Sequence, residues 1–495
     1  MLEVVTLRPV FITLFLAASL LSAGCLSGTG EAPTEQAAPR NTTFVDPLLE
    51  ADDGHNHSNP AEHALWTDTM EKLGYHPLGE EPNKTRGTYG EIDIVGDTAF
   101  VAVLGDQGET PGVLIVDISD RVNPKVLSFT PVLYPRLADV KGDPSGDYFY
   151  VGSQAWTFNT NFPQRFRQPT PEILQDSQKR LQWMYQDGLQ IYDARDKTQP
   201  AKIVGGAVSE EGCHMIMPFE IAGGFYIFCV GTTINIFEVN PASGSATLVS
   251  QYQPQNPEGL DTILDNDKSD PNRFFTEARL GLRPHDMTVQ LDPTTGKPVM
   301  IASYWDWGLR VVDVSDPKNP KELGRWTGDE ATHYEGNVHT GLMTVVEGRR
   351  VIVCIPELLS DKVPGVFILD ATDLGNIHLL GEWYAPGEHG AEGILFSTHN
   401  IQIVDGRLYM AYYHAGVWVL DISTNESLAN PPILGYYLPH EAPETYLPPE
   451  RVNTPDVWDV VVKDGYLYAT DIHTGLYVLH YKPDTLGDPT LTSFA

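Results

Sequence analysis

The six residues Gly-Leu-Arg-Val-Val-Asp at 308–313 are one copy of a phrase that recurs along the whole chain. Close copies stand at 112–117 (Gly-Val-Leu-Ile-Val-Asp), 188–193 (Gly-Leu-Gln-Ile-Tyr-Asp), 365–370 (Gly-Val-Phe-Ile-Leu-Asp) and 416–421 (Gly-Val-Trp-Val-Leu-Asp). Two degraded copies, at 233–238 and 475–480, bring the total to seven. A unit repeated at intervals of 45–76 residues predicts an array of similar modules. Function is then expected where the modules differ.

Strand periodicity divides one module, residues 399–437, into four strands. The first two, His399–Val404 and Arg407–Tyr413, flank the two-residue hairpin signal Asp405-Gly406. The third and fourth are Val417–Leu420 and Ile433–Tyr437. Seven such units around one axis predict an all-β fold, a seven-bladed β-propeller of four-stranded antiparallel blades.

The phrase Leu-Ile-Val-Asp at 114–117, with its near copies, resembles the LVIVD repeat of exported bacterial and archaeal β-propellers. The resemblance covers about residues 86–485. It implies the propeller fold and a place at the cell surface, but no shared chemistry and no set of ligands. Histidine-lined propellers, such as the selenium-binding-protein/methanethiol oxidase family, are similar to this chain in general architecture only.

The N-terminal segments indicate export. Arg8 and the apolar run at 10–21 are typical of a signal peptide over residues 1–24. Leu-Ser-Ala-Gly-Cys at 21–25 resembles a lipobox and predicts lipidation of Cys25, with a flexible tether over 25–60. The alternative is an ordinary signal peptide with an incidental cysteine. The first interpretation places the protein outside the cytoplasm, anchored to the outer face of a bacterial or archaeal cell membrane.

The remaining segments follow from periodicity and composition. Residues 61–85 are predicted to hold a short helical segment that packs on the propeller, which occupies 86–485 and is followed by a tail at 486–495. Two insertions interrupt the repeats, at 155–186 and 253–284, and the first contains a predicted helix together with Trp156 and Trp183. Long insertions at one face act as lids or recognition surfaces. The alternative is that they cover blade edges.

Three cysteines follow Cys25, namely Cys213, Cys229 and Cys354. An odd number in an exported protein predicts no disulfide framework. Cys229 and Cys354 stand within apolar runs, so both are expected to be buried free thiols.

The formal net charge of -34 argues against nucleic acid as a partner, because phosphate binding needs a basic surface. No Gly-X-Ser-X-Gly elbow, phosphate-binding glycine loop or dinucleotide fingerprint occurs in the sequence. The sequence therefore contains none of the motifs that are typical of these hydrolases and nucleotide-dependent enzymes.

Histidines mark the points at which the repeats differ. His214, His285 and His399 stand at one equivalent position, the start of the first strand, and His339 is expected about two residues earlier on the same side. The loop after the second strand holds His414, His473 and Asp306. Both positions face one mouth of a propeller channel, so the six histidines are predicted metal ligands. Imidazole donors favour copper, zinc or iron over calcium.

Other residues at these positions are candidates for contacts with a substrate or partner. Arg136 and Trp458 stand where other repeats have histidine, while Asp306, Trp156 and Trp183 belong to nearby loops. The alternative to a metal site is a solvated channel lined by histidines.

Two functions remain open at this point. The first is a surface module that binds a surface protein or small ligand and carries a histidine-lined metal site. The second is a transition-metal enzyme, an oxidoreductase. The sequence does not decide whether the protein is an enzyme.

Overall fold

The computed structural model describes residues 66–79, 88–105, 110–132, 137–153, 188–207, 212–231, 233–254, 284–305, 307–328, 338–357, 365–385, 397–439 and 455–483. Over these ranges the chain forms seven four-stranded antiparallel sheets. Each sheet is one blade of a seven-bladed β-propeller, as the repeats predict.

Each blade is given from its innermost to its outermost strand. Blade 1 consists of β2 Tyr89–Val95, β3 Thr98–Val103, β4 Gly112–Asp117 and β5 Lys125–Pro131. Blade 2 consists of β6 Leu137–Gly142, β7 Tyr148–Ser153, β8 Leu189–Asp193 and β9 Ala201–Ala207. Blade 3 consists of β10 Ile216–Ile221, β11 Gly224–Val230, β12 Ile234–Asn240 and β13 Ser245–Tyr252. Blade 4 consists of β14 Asp286–Leu291, β15 Pro298–Ser303, β16 Leu309–Asp313 and β17 Lys321–Trp326. Blade 5 consists of β18 Thr340–Val346, β19 Arg349–Ile355, β20 Val366–Asp370 and β21 His378–Trp383. Blade 6 consists of β22 Ile401–Val404, β23 Arg407–Tyr412, β24 Gly416–Asp421 and β25 Ile433–Tyr437. Blade 7 consists of β26 Val457–Lys463, β27 Tyr466–Asp471, β28 Gly475–Tyr481 and β1 Met70–His76.

The N-terminal strand β1 closes the ring. It pairs antiparallel with β28, from Met70 opposite Tyr481 to His76 opposite Leu476, and so becomes the outermost strand of blade 7. The prediction of a helical segment over 61–85 is therefore wrong where the structure describes it. The edge of β28 needs a fourth strand, and pairing with it outweighs the helical pattern of the segment. The helix predicted within the insertion at 155–186 lies outside the described residues.

The seven first strands form the inner ring, because each contacts the first strand of both neighbouring blades and β26 returns to β2. The third strands carry the repeated phrase, and both of their faces are buried. In β24, Trp418 and Leu420 pack toward blade 5, whereas Val417 and Val419 pack toward blade 7. The core therefore lies between blades, and the continuous apolar phrase is what a strand buried on both faces requires.

The glycine that opens the phrase is needed for close approach of the outer strand. Gly308 has a positive φ of 73°, and a Cβ atom there would lie 1.9 Å from the carbonyl oxygen of Trp326. Gly416 has a φ of 81°, and a Cβ atom there would lie 2.4 Å from the oxygen of Tyr437. Only glycine adopts a positive φ readily and has no Cβ atom, so any other residue at these two positions would be strained.

The aspartates after the third strands stabilise turns. Asp117 Oδ1 accepts from the amide of Ser119 at 2.9 Å, and Asp313 Oδ1 accepts from that of Ser315 at 2.8 Å. Hydrogen bonds from Ser119 lower the pKa of Asp117. These aspartates are structural, as Asx-type turns predict.

Carboxylates also link neighbouring blades. Asp139 Oδ2 accepts from the amide of Ile216 in the next blade at 2.8 Å, and Asp459 Oδ2 accepts from that of Ile92 at 3.0 Å. Asp286 occupies the equivalent position in blade 4, where burial raises its pKa to about 7. The first strands present unpaired edge amides to the channel, and side chains from the neighbouring blade satisfy them.

Cys213 and Cys229 form a disulfide, with Cα atoms 5.2 Å apart. The expectation of no disulfide, with Cys229 free, is therefore wrong. The parity argument failed because one cysteine of three can stay unpaired: Cys354 is free and buried. The disulfide joins the residue that precedes His214 to β11.

Helix is scarce in the described residues. A 3₁₀ turn, η1, spans Leu374–Asn376, and a short helix, α1, spans Asn425–Ala429 with Thr424 as its N-cap. In the part of the chain that the structure describes, no helix has the length and apolar character needed to cross a membrane.

Candidate metal centre at the channel mouth

Four histidines occupy one backbone position in four consecutive blades. Each backbone amide donates to a carbonyl of the last or next-to-last residue of the second strand of its own blade. The donor–acceptor pairs are His214–Val230, His285–Ser303, His339–Ile355 and His399–Ala411, at 2.7, 2.9, 2.7 and 2.9 Å. His339 is therefore in the same register as the others, and its expected two-residue offset is wrong. Pairing with Ile355 fixes this register.

The four imidazoles form a continuous row around the mouth. Successive ring centroids, from His214 through His285 and His339 to His399, are each 4.5 Å apart. The row continues with Trp458 of blade 7, whose ring lies 4.0 Å from that of His399. We call these five side chains the mouth row.

Two groups of donor atoms at the mouth lie close enough to share a ligand, namely the His214–His285 pair and the set of His285, His339 and Glu357. Nε2 of His214 and Nε2 of His285 are 3.0 Å apart. Bonds of about 2.0–2.1 Å from one zinc ion place two nitrogens roughly 3 Å apart when the angle between them is near 90–100°. One ligand atom each from His285, His339 and Glu357 lie within 4.8 Å of one another.

His339 is the most deeply buried of these residues, with 2% of its surface exposed. Neither ring nitrogen has a hydrogen-bond partner within the described parts of the chain. Burial lowers the pKa of His339 to about 3, so the ring is neutral at neutral pH. Its Nε2 lies 3.5 Å from Oε2 of Glu357, a contact that is not an ion pair while the ring is neutral.

Glu357 is a site residue that the sequence analysis did not identify. It stands two residues after Ile355, whose carbonyl accepts from the His339 amide, just as Trp305 stands two residues after Ser303 in blade 4 and Tyr413 two residues after Ala411 in blade 6. The prediction selected the next position along this loop, which holds Asp306 and His414. The repeats contained the signal, but the alignment was read one residue too far.

Tyr413 holds Glu357 in place. Its hydroxyl donates to Oε1 of Glu357 at 2.5 Å, which leaves Oε2 on the side of His339. The Tyr413 ring also lies 5.2 Å from that of His399. A carboxylate fixed by an outer hydrogen bond is typical of metal sites.

Two aromatic residues at this loop position adopt left-handed backbone conformations. Trp305 has a φ of 50° and Tyr413 a φ of 20°, and each forms an isolated bridge with the next blade, to Val338 and Val457. Trp305 packs 4.0 Å from the ring of His285. Such conformations in bulky residues are costly and cluster at functional sites.

His399 is oriented by a carbonyl group. Its Nδ1 lies 2.9 Å from the backbone oxygen of Trp458, so Nδ1 carries the hydrogen and Nε2 keeps its lone pair in the neutral ring. Metal-binding histidines commonly donate their second nitrogen to a carbonyl in this way.

The mouth row ends at a buried charged group. Nε1 of Trp458 donates to Oε1 of Glu91 at 3.0 Å, and Nδ2 of Asn400 donates to Oε2 at 2.8 Å. Burial, followed by repulsion from Asp459, raises the pKa of Glu91 well above its usual range. Lys141 lies 3.9 Å from Glu91, so this side of the mouth is an internally paired network.

Of the other predicted site residues, two lie in the described part of the chain and the rest do not. His473 is engaged by Asp456, with Nε2 and Oδ2 3.1 Å apart, and His414 is buried in the turn after Tyr413. The other candidates lie outside the described residues; they are Arg136, Asp306, Trp156, Trp183 and Cys25.

The fold and the mouth row define a β-propeller with a histidine-lined channel mouth. The LVIVD repeat pattern matches residues 299–327, which include β16, and 455–479, which include β26 and β27. The chain is thus a seven-bladed β-propeller that carries the LVIVD repeat in these two segments.

No curated protein matches the chain in sequence. The β-propeller domain of Myceliophteria thermophila Cps50 (Swd1) is similar at 9% identity and a TM-score of 0.45, covering 80% of this chain and 98% of that one. The computationally designed Ika8 protein is similar at 9% identity and a TM-score of 0.41, covering 83% and 98%.

Proposed function

We propose that the protein is an exported, membrane-anchored binding module whose channel mouth holds a transition metal ion. The observation that carries this proposal is the convergence of His285, His339 and Glu357, whose ligand atoms lie within 4.8 Å of one another. His214, whose Nε2 atom lies 3.0 Å from Nε2 of His285, is the next donor along the row.

The donor set suits a borderline-soft ion. Imidazole nitrogens with one carboxylate favour zinc, copper or iron, whereas calcium needs six to eight oxygen ligands. The buried nitrogens of His339 support this fit, because a neutral imidazole without a hydrogen-bond partner gains a partner when it ligates an ion. When bound, the ion supplies a Lewis acid at the mouth.

The surrounding residues define how a ligand reaches the centre. Tyr413 orients Glu357, Trp305 packs beside His285 and His339, and Trp458 covers the His399 end of the histidine row with aromatic surface. A flat apolar group next to an electron-pair donor is therefore the chemistry that this mouth would bind. A surface protein or a small molecule with such a group is the expected partner.

Elemental analysis tests the metal. The purified protein, incubated with zinc, copper or iron and then dialysed, should retain about one ion per chain. His285→Ala and His339→Leu should each lose it. His480→Gln is the matched control, since His480 lies near the far end of β28 against Tyr466. No retained ion in the native protein, or full retention in both ligand variants, would overturn the proposal.

The second candidate is a metal-dependent oxidoreductase. It is favoured by Tyr413, whose hydroxyl donates to Glu357 and so places an exchangeable proton beside the centre, and whose ring lies 5.2 Å from that of His399. An activity that chelator abolishes, and that Tyr413→Phe slows even when the variant is saturated with metal, would establish it. A partner recovered at equal yield with and without metal would argue for the binding module alone.

Membrane anchoring rests on the sequence at 21–25. Cys25→Ser should move the protein from the membrane fraction to the soluble extracellular fraction, and mass spectrometry of the native N-terminus should show a lipid-modified Cys25. An unmodified cysteine would leave export without an anchor.

A further inference from the structure

A second site lies between blades 3 and 4, at Arg310 in the third strand β16. The third position of the repeated phrase is held in the other blades by Leu114, Gln190, Asn235, Phe367, Trp418 and Tyr477. Arg310 is thus the one charged residue at this position in the seven copies, so the fold does not require a charge there.

Polar side chains at the equivalent position are satisfied by the protein. Nε1 of Trp418 donates to the oxygen of Ala415 at 2.7 Å, and the Tyr477 hydroxyl lies 2.8 Å from Oγ1 of Thr474. Arg310 differs. Its Nη1 donates to the backbone oxygens of Trp307 and Leu309, at 2.8 and 3.0 Å, whereas Nε and Nη2 have no hydrogen-bond partner among the described residues.

Arg310 is fully buried, with 0% of its surface exposed, so the two unsatisfied donors are shielded from bulk water. Its guanidinium packs over the ring of Trp307 at 4.3 Å and faces that of Tyr304 at 5.8 Å. The buried hydroxyl of Tyr304 also lacks a hydrogen-bond partner within the described ranges. Three unsatisfied donor atoms therefore belong to two adjacent buried side chains.

Among the described residues, the acidic side chain that acts on the charge of Arg310 is Glu322, and it is already engaged by other groups. Glu322 accepts from the Tyr252 hydroxyl on Oε2 and lies 3.0 Å from Nε of Arg325 on Oε1. Two guanidinium groups and one carboxylate give this group a local charge of +1, in a chain whose formal net charge is -34. A buried charge without a close counter-charge is costly, and an anion offsets the cost.

We infer that Arg310 and Tyr304 form a binding site for a small inorganic anion of chloride size. The guanidinium supplies charge and two N–H donors, and the phenol supplies one O–H donor. A small ion suits the tightly packed surroundings, because Tyr304 belongs to one buried cluster with Tyr252 and Val312 and Trp307 packs against that cluster. The site is separate from the mouth row and does not depend on the metal proposal.

Bromide tests the site directly. Crystals of the protein grown or soaked in bromide should show an anomalous peak within hydrogen-bonding distance of Nε or Nη2 of Arg310. In solution, the melting temperature should rise saturably as chloride replaces gluconate at constant ionic strength. A water molecule at this position, together with a melting temperature that does not respond to chloride, would overturn the inference.

Two variants assign the effect. Arg310→Met should abolish the chloride response, and Tyr304→Phe should raise the half-saturating chloride concentration by about tenfold, the loss expected for one hydrogen bond to an ion. If Arg310→Met fails to fold, Tyr304→Phe alone decides. Arg350→Met is the control, because Arg350 is paired with Asp292 at 3.1 Å and its loss should leave the chloride response unchanged. A chloride response retained at full strength in Tyr304→Phe would also overturn the site.

Discussion

Replacing His339 by leucine should stabilise the metal-free protein while abolishing metal binding. The imidazole is 2% exposed, and both ring nitrogens lack hydrogen-bond partners among the described residues. An unsatisfied buried polar group costs about 1–3 kcal/mol, and a swap that conserves volume costs less than about 1.5 kcal/mol. In chelator at pH 8, we expect His339→Leu to be more stable than the native protein by about 1 kcal/mol or more.

The difference should grow on acidification. The pKa of His339 is lowered to about 3 in the folded protein from an ordinary value of 6.5. Below pH 6.5 the unfolded chain therefore binds a proton that the folded chain does not, and the native protein loses stability as pH falls. At pH 5 this loss is about 2 kcal/mol for a single histidine. The His339→Leu variant does not show this loss of stability, because it has no imidazole to protonate.

Urea unfolding at pH 8, 6.5 and 5, with chelator present throughout, measures both effects. Other titrating groups are common to the two proteins, so the gap between the two curves reports on His339. The reasoning is refuted if His339→Leu is destabilised at pH 8, because His339 would then be a core residue with satisfied contacts. It is equally refuted if the gap stays constant between pH 8 and pH 5.

Three further predictions concern neighbouring groups. Tyr413→Phe should weaken metal affinity by about 10–100-fold, because the hydroxyl that orients Glu357 is lost while ring packing stays; isothermal titration measures this, and unchanged affinity contradicts it. Removing the disulfide with Cys213→Ala and Cys229→Ala should lower the free energy of unfolding by about 2–4 kcal/mol. Reductant should destabilise the native protein by a similar amount and leave the double variant unaffected, and a native protein that is insensitive to reductant argues against the bond. Burial raises the pKa of the Cys354 thiol, so in the Cys25→Ser protein a thiol reagent should label no group in the folded state and one after unfolding; labelling of the folded protein contradicts this.

Most of the fold could be predicted from the sequence, because every blade repeats the same pattern of apolar strands and hairpin turns. The phrase at 416–421 is buried on both faces, and hairpin signals such as Asp405-Gly406 fix where its neighbours turn. The strand boundaries derived for residues 399–437 agree with β22 to β25 within two residues. The strand Met70–His76 could not be derived in this way, because its partner lies about 400 residues away and supplies no local signal.

The site was only partly predictable. The histidines of the mouth row could be found because equivalent positions in consecutive blades must lie side by side. Glu357 was missed because a loop has no periodicity to fix its register, and only the backbone shows which residue of the loop faces His339. Arg310 was visible as a departure from the phrase, but its unsatisfied donors depend on the packing of Tyr304 and Trp307 around it.

The pairing of β1 with β28 has a consequence for the synthesis of the protein. Met70 leaves the ribosome long before its partner Tyr481, so during most of translation the first strand has nothing to pair with, because the other three strands of blade 7 are made last. The closed ring is therefore available only once the chain has been made as far as β28, and until then open sheet edges favour association with other chains. The same closure completes blade 7, which contributes Trp458 to the mouth row.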